Sequence, residues 1–462
     1  MSFNQDFLHA VLETALSRGG DYADLFIEET MDNRIAFNDR KVASISSGLV
    51  QGAGIRVITG KAYTYLFAND VDEERLMELA RASAAARAAG QAGTAKALAD
   101  RSLPRLHSYA RLPHEAGMAE KVELVRRGDA AARAHSREIE QVFVNYWDVQ
   151  QKVTMATSEG DFARDERVRT RFVVNAIASR GERKESGYYA PGKSLGLEFF
   201  DSFSPEKIGT EAARIASVML DAEHAPSGVM PVVIDNEFGG VIFHEACGHA
   251  LEATSVADDA SVFTGKLGEA IAAPCVSAVD DGSIANEWGS ARYDDEARPT
   301  RRNQLIKDGV LTSYLVDRLG QAKMGIPANG CGRRESYKYA PTSRMSNTFI
   351  EPGQYSLEQL IGSVDKGLYC RRMGGGSVNP ATTDFNFAVA EAYIIENGKI
   401  GKPVKNASLI GKGADIIKNI DMVANNLDIG GTGMCGSSSG SVPANVGQPA
   451  IRVGGLVVGG RA

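Results

Sequence analysis

Two histidines and a glutamate lie close together in the segment "FGGVIFHEACGHALEAT", residues 238–254, as His244-Glu245-x-x-x-His249. Imidazole nitrogens are common ligands of divalent metals, and a neighbouring carboxylate can accept a proton from water. Metal-binding helices usually separate the two histidines by four residues, which leaves them about 40° apart at ~100° per residue. The extra residue in this motif therefore needs a structural explanation.

A spacing of five places His244 and His249 about 140° apart on a regular α-helix, too far to share one metal. A π-bulge inserts one residue into a helical turn and would restore a common face. Gly248 lies where such a distortion is easiest. The alternative is a pair of histidines that takes part only in packing or lies on a helix surface.

A widened helix would create a catalytic type of metal site. Two imidazoles and a third protein ligand would hold Zn²⁺, and the fourth position would be left to water. Glu245 would take a proton from the water and later pass one to a leaving amine. The candidates for the third ligand are Cys247, Glu252 and Cys435, the last within the glycine-rich "DIGGTGMCGSSSG". The residues alone leave these three alternatives open.

The first half of the chain shows a repeated pattern of helix, four strands and helix. The first copy has a helix near residues 5–18, extended segments between 23 and 69, and an alanine-rich helix over 71–89. The second copy has a helix over about 116–136, extended segments between 139 and 192, and a helix that begins at Pro205. This arrangement predicts an α+β fold rather than a βαβ alternation.

The composition changes near residues 222–229, where glycine becomes frequent and strands alternate with long loops. We therefore expect an N-terminal α+β domain over 1–225, with the internal duplication, and a β-rich C-terminal domain over 226–462. The helix of the metal motif lies near the start of the second domain. Apolar residues make up 43% of the chain, which is enough for two cores.

Charge and cysteine content limit the partners and the compartment. The formal charge is −7 and the basic residues are scattered, which argues against a nucleic-acid partner. An odd number of cysteines, five, indicates a reducing compartment. The N-terminal segment resembles an amphipathic helix rather than a signal peptide, and no apolar run reaches membrane-spanning length. We expect a cytoplasmic protein without a membrane segment.

Four ordered motifs resemble the TldD/PmbA (modulator of DNA gyrase) family of peptidases over nearly the whole chain. They are "FHEACGHALEA", "GRRESYKYAPTSRMSNTFIEPG", "NPATTDFNFAVAEAYIIENGKIGKPVKNASLIG" and "GMCGSSSGSVPANVGQPAIRVGGLVVGG". The resemblance is strongest from about residue 229 onwards. Because family members of the PmbA (TldE) type lack the His-Glu-x-x-x-His motif, this chain resembles the catalytic type.

The resemblance implies a zinc metallopeptidase that hydrolyses unfolded or flexible peptides. It assigns the metal to His244, His249 and Cys435, and the general base to Glu245. Cys247 then becomes a small buried thiol. The resemblance also implies a dimer, either a homodimer or a heterodimer with a PmbA/TldE-type subunit, whose active site is enclosed near the interface.

The motif "GRRESYKYAP" supplies Arg333, Arg334, Glu335 and Tyr337. These side chains are candidates for gripping a peptide backbone or carboxylate, because arginine presents a fixed fork of donors. A salt-bridged loop is the competing interpretation. The acidic run over residues 294–296 is typical of a solvated surface.

Two functions from other classes compete with the peptidase. An assembly or regulatory binding protein would hold a structural metal with four protein ligands and no position for water. A metal-independent hydrolase would use Cys435 as a nucleophile with a histidine, although no flanking pattern supports it. The intact Glu245 favours the peptidase.

Overall fold

The computed structural model describes residues 3–87, 90–379 and 382–460. The N-terminal elements are α1 Gln5–Leu16, β1 Tyr22–Asn38, β2 Lys41–Thr59, β3 Ala62–Ala68, α2 Glu73–Ala85, β4 Ala99–Asp100, α3 Met118–His135, β5 Ile139–Thr157, β6 Asp161–Arg180, β7 Arg183–Tyr189, β8 Gly192–Lys193, α4 Phe199–Ser202 and α5 Pro205–Asp221.

The first C-terminal elements are β9 Glu223–His224, β10 Gly228–Glu237, α6 Val241–Phe243, α7 Ala253–Val256, β11 Ala278–Asp281, β12 Arg302–Lys307, β13 Val310–Leu311, α8 Arg318–Met324, β14 Gly332–Arg333, β15 Thr342–Ser343, β16 Asn347–Ile350 and α9 Leu357–Gly362. The remaining elements are β17 Lys366–Val378, β18 Asp384–Glu396, β19 Lys399–Lys405, β20 Ser408–Lys412, α10 Gly413–Ile416, β21 Ile420–Val423, β22 Asp428–Ser437, β23 Gly440–Gln448 and β24 Ile451–Gly459.

The two N-terminal units share one sheet, with the order β3-β2-β1-β5-β6-β4 and with β7 and β8 beside β6. They meet where β1 and β5 pair antiparallel, in a register that runs from Asp24 opposite Thr157 to Asn38 opposite Phe143. Apolar side chains of α1 and α2 pack on the first unit, and those of α3 and α5 pack on the second. Helices therefore cover the sheet, and the predicted α+β fold class is confirmed.

The strand count of the first unit differs from the prediction. Three strands, β1 to β3, replace the four expected segments, because the chain reverses at Asp39 and Arg40 inside one of them. Both residues adopt positive φ, 47° and 66°, as a tight hairpin turn requires. Neither is glycine, so the turn signal is weak in the sequence. Residues 88 and 89, at the end of the predicted second helix, lie outside the described residues.

The C-terminal half contains two further large sheets. In one, the order β17-β10-β24-β20-β18 is closed by a pairing of β17 with β18, which makes a five-stranded ring. The other has the order β13-β12-β11-β16-β23-β22, so β22 lies at its edge. A large apolar core packs against the helical segment that starts at Val241. The domain boundary at 225/226 remains a prediction.

Within the described ranges, no helix is both long and apolar enough to cross a membrane.

Candidate metal centre

The His-Glu-x-x-x-His segment is helical but not a regular α-helix. The turn α6 leads into a π-helical turn over His244–Gly248, and a 3₁₀ turn follows over His249–Leu251. The backbone N–H of His249 donates to the carbonyl oxygen of His244, five residues earlier. The predicted widening of the helix is confirmed, and the extra residue is absorbed in the π-turn.

Packing explains why the chain accepts this turn. The apolar side chains around the motif belong to the large C-terminal core; they are Val241, Ile242, Phe243, Ala246, Ala250 and Leu251. Gly248 packs against the side chain of Met345, and a Cβ atom at Gly248 would lie 2.2 Å from the Met345 sulfur. The π-turn thus fills the core with its apolar side and leaves both histidines free to converge.

The histidines converge on Cys435 of the edge strand β22. The Nε2 atoms of His244 and His249 each lie 3.3 Å from the Cys435 Sγ atom. All three potential ligand atoms lie within 4.8 Å of one another. The structure therefore brings together residues that are up to 191 positions apart in the sequence.

Charge within this cluster favours a thiolate. Burial opposes ionisation of Cys435, but the two imidazoles lower its pKa to about 3. Burial likewise opposes a charge on His249, whereas Glu252 and Cys435 raise its pKa well above the usual value. The metal-free cluster consequently favours a thiolate beside a protonated imidazole, and a metal cation would replace that proton.

The cluster fits a zinc ion. With Zn–S near 2.3 Å and Zn–N near 2.05 Å, ligands at two corners of a tetrahedron lie about 3.5 Å apart, close to the observed separations of 3.3 Å. One thiolate and two imidazoles form a donor set that zinc prefers over hard cations. Among the described residues, this group of potential ligands has three members, which is the number that the protein supplies in catalytic zinc sites.

Glu252 contacts the opposite side of the His249 ring. Its Oε2 atom lies 3.2 Å from Nδ1 of His249, and its Oε1 atom accepts a hydrogen bond from the backbone N–H of Met345 at 3.3 Å. A proton held on Nδ1 leaves the Nε2 lone pair for a metal. Glu252, one of the alternative ligands, thus lies where it orients a ligand.

Arg344 supports both Glu252 and the strand of Cys435. It is fully buried, and its Nε atom lies 4.0 Å from a Glu252 oxygen. Its guanidinium also donates to the Cys435 carbonyl and, at 3.0 Å, to the Ser439 hydroxyl. Sequence reasoning missed Arg344. A possible signal was an arginine within a motif otherwise rich in small polar residues.

Cys247 and Glu245, the remaining residues that the sequence singled out in the motif, lie in different surroundings from each other. The thiol of Cys247 faces the Gly413 carbonyl at 3.9 Å, and burial raises its pKa. Glu245 lies beside the cluster: its side chain is 29% exposed, and its Oε2 atom is 3.8 Å from Nε2 of His249. Glu245 is therefore accessible to water, whereas Cys247 is part of the core.

The four residues of the "GRRESYKYAP" motif are held by protein partners. Arg333 donates to the Met345 carbonyl at 2.5 Å, and the backbone N–H of Tyr337 donates to Glu28 at 2.8 Å. Glu335 accepts from the backbone N–H of Ser441 at 2.7 Å. Arg334 forms a buried ion pair with Asp24 at 3.2 Å, as the salt-bridged alternative expects. A role in substrate binding remains a prediction.

The acidic run is not a solvated surface, and that expectation is wrong. Asp294, Asp295 and Glu296 are each at most 4% exposed. Glu296 pairs with Arg56 at 2.7 Å, and Asp295 pairs with Arg167 at 2.7 Å. The basic partners come from the N-terminal sheet, so the pairing is invisible in the local sequence.

A cluster of two imidazoles and one thiolate beside a partly exposed glutamate is the arrangement expected of a metal-dependent hydrolase. Three family models match the chain in order: PmbA/TldA metallopeptidase domain 1 over 23–89, the central domain over 111–220 and the C-terminal domain over 227–460. The chain belongs to the PmbA/TldD family of metallopeptidases.

Individual relatives agree with this assignment. A metalloprotease TldD homolog of Haemophilus influenzae is 36% identical over 96% of this chain and 94% of its own length. A metalloprotease of Methanothermobacter thermautotrophicus is 32% identical over 100% of both chains. TldE from Thermococcus kodakarensis has the same fold, with a TM-score of 0.76 at 17% identity over 98% of this chain and 99% of that chain.

Proposed function

We propose that this metallopeptidase uses zinc to hydrolyse unfolded or flexible peptides, with water activated by Glu245. The observation that carries the proposal is the convergence of His244, His249 and Cys435 next to the partly exposed carboxylate of Glu245. The donor set favours zinc, and a set of three protein ligands favours a catalytic over a structural metal.

When bound, zinc supplies positive charge that polarises the scissile carbonyl and increases the acidity of water. His244, His249 and Cys435 hold the metal through Nε2, Nε2 and Sγ. The carboxylate of Glu245 accepts a proton from the attacking water and returns one to the leaving amine. Its partly exposed position, 3.8 Å from Nε2 of His249, supports this role.

The substrate state, the partner and the compartment are extensions of the same proposal. The family resemblance favours unfolded peptides, because an enclosed site admits only an extended chain. The structural similarity to the TldE chain of Thermococcus kodakarensis supports a dimer, with a PmbA/TldE-type subunit or a second copy of this chain. We further propose a cytoplasmic location, and substrate contacts from Arg333, Arg334, Glu335 and Tyr337.

The proposal is tested by comparing the unchanged protein with Glu245→Gln, His249→Ala and Cys435→Ala. Elemental analysis should find about one zinc per chain in the unchanged protein and in Glu245→Gln, and loss of zinc in the two ligand variants. Cleavage of an unfolded protein such as reduced casein should require zinc and disappear in Glu245→Gln.

A different result would contradict each part of the proposal. Full cleavage by Glu245→Gln would exclude Glu245 as the base. Zinc retained in Cys435→Ala would move the third ligand elsewhere. Bound zinc without any cleavage by the unchanged protein, alone or with a PmbA/TldE-type subunit, would favour the assembly protein.

A further inference from the structure

A cavity of about 830 Å³ lies between the N-terminal sheet and the loops next to the metal centre. Its sheet side includes Arg167, Arg169 and Arg171, alternate residues of β6 whose side chains share one face. Its lining also includes Arg333 of β14 and Met434 of β22. The space is much larger than a single inorganic anion and can admit a segment of peptide.

Most charged groups of this cavity are paired. Arg167 binds Asp295 at 2.7 Å, and Arg34 binds Asp32 at 3.0 Å. Arg334 binds Asp24, and the wall carboxylate of Glu335 accepts from a backbone N–H. The charges of these groups are therefore largely neutralised by protein partners and are less available to bind a ligand.

Arg169 and Arg333, in contrast, form no ion pair with a carboxylate among the described residues. Both are at least nine-tenths buried, with 6% and 9% exposure. Arg169 donates only to the carbonyls of Trp288 and Ser290, at 3.0 and 3.4 Å, and Arg333 donates to the Met345 carbonyl. Among the described residues, neither has a carboxylate oxygen within 4.0 Å. Two buried cations thus line the cavity without a directly paired carboxylate among those residues.

The two guanidinium groups are held by one hydrogen-bonded unit. Gly289, between the two carbonyl partners of Arg169, donates its N–H to the Asn347 side chain at 3.1 Å. Asn347 in turn donates to the Ser290 hydroxyl at 2.7 Å. Because Asn347 follows closely after Met345, the anchors of both arginines form a rigid wall.

Burial and mutual repulsion make an added anion favourable at these two arginines. Burial lowers the pKa of Arg169 to about 9, and the charges of Arg167 and Arg333 add to the effect. Burial also lowers the pKa of Arg333 to about 10, although the charges of Asp295 and Asp280 oppose this shift. A buried unpaired cation is unfavourable, and a carboxylate that accepts from both guanidinium groups would relieve the desolvation and the repulsion.

This cavity adjoins the metal centre. Met345, whose carbonyl holds Arg333, packs with its sulfur against Gly248 of the π-turn. Met434 lines the cavity, and its neighbour Cys435 faces the histidines from the other side of the same strand. The cavity and the metal centre therefore share strand β22 and the segment of Met345, which places the two arginines close to the metal centre.

We infer that Arg169 and Arg333 form a subsite for a carboxylate of the peptide, next to the metal centre. The inference rests on the proposed peptidase function and deepens it, because it makes the position of a carboxylate a determinant of substrate choice. The carboxylate belongs to the chain terminus of the peptide or to an acidic side chain.

Peptide binding tests the subsite without relying on turnover. Three N-acetylated hexapeptides of alanine and serine are titrated by calorimetry into zinc-loaded Glu245→Gln: the free acid, the C-terminal amide, and the amide with one central glutamate. Mass spectrometry confirms that the peptides stay intact. The free acid or the glutamate peptide should bind about tenfold or more tightly than the plain amide, as expected for a charge-assisted pair.

Arginine variants locate the effect. Arg169→Gln and Arg333→Gln, in the same background, should remove the preference for a carboxylate. Lys338→Gln removes one charge from an exposed residue of the same cavity and should retain it. Neither arginine has a carboxylate oxygen of a described residue within 4.0 Å, so neither replacement breaks a direct ion pair, and urea unfolding should show that both variants stay folded.

Two results would overturn the inference: equal binding of all three peptides, or a preference that survives in both arginine variants. A preference carried by the glutamate peptide alone would support the subsite and identify a side-chain carboxylate as its ligand. Cleavage by the unchanged protein is assayed separately with the same peptides. If the acid and amide peptides are bound equally well and cleaved equally fast, the carboxylate subsite is rejected, whereas the proposed peptidase function is supported.

Discussion

Two glutamates flank His249 and occupy different environments. Glu245 is partly exposed, near the Nε2 atom of His249. Glu252 is buried and contacts the Nδ1 atom of the same ring. One carboxylate is therefore accessible to water, whereas the other lies where it can orient the His249 ring and fix its tautomer.

Glu252→Gln should weaken zinc binding by about 10- to 100-fold, because the amide orients the His249 ring less strongly than a carboxylate. Competition with a chromophoric zinc chelator measures the affinity. Glu245→Gln is the matched control, since it makes the same chemical change two helical turns earlier and should leave zinc affinity nearly unchanged. Equal affinities for the two variants would contradict the orienting role of Glu252.

The π-turn brings the two histidines of the motif together. It places residues five positions apart on a shared face, and its buried side packs against Met345 at Gly248. Glycine is needed there for space, because any side chain would meet the Met345 sulfur. The turn and its glycine should therefore be coupled to both stability and metal binding.

Gly248→Ala should lower the free energy of unfolding by about 1–3 kcal/mol, as expected for overpacking, and should reduce zinc content. Gly362→Ala is the control: it lies at the end of α9 with no atom within 4 Å of the added Cβ position, so stability should change little. Urea unfolding of the zinc-loaded proteins measures both. An equally small effect for the two variants would show that the π-turn tolerates a side chain.

At the scale of the whole molecule, buried ion pairs join the N-terminal sheet to the C-terminal half. Arg56 of β2 is fully buried and binds both Asp24 of β1 and Glu296. Arg334 also binds Asp24 from the C-terminal side. Charges removed from water are strongly unfavourable when left unpaired, so these groups fix how the two halves fit together.

Arg56→Met should destabilise the protein by about 3–5 kcal/mol, because it leaves Glu296 buried without its cation. Arg302→Met breaks a more exposed pair with Glu351, where side-chain exposures are 43% and 24%, and should change stability by about 1 kcal/mol or less. Chemical denaturation of both variants gives the comparison. Similar losses would mean that the buried pair contributes no more than a surface pair.

Several features were accessible from the sequence because they depend on local periodicity. The α+β class, the helix positions and the widened turn at His244–Gly248 follow from residue spacing and turn chemistry. The hairpin at Asp39 was missed because its residues carry weak turn signals. The buried state of the acidic run was missed because its basic partners lie more than a hundred residues away.

The sequence by itself indicated the kind of chemistry: imidazoles, a neighbouring carboxylate and a spacing that a π-turn can bring onto one face. Only the tertiary structure decided which donor lies beside the two histidines, because Cys435 reaches them through a strand pairing that no local pattern encodes. It also brought Arg169 and Arg333 into the lining of one cavity. Local spacing fixes what one helix or strand can present, whereas long-range packing fixes which groups meet.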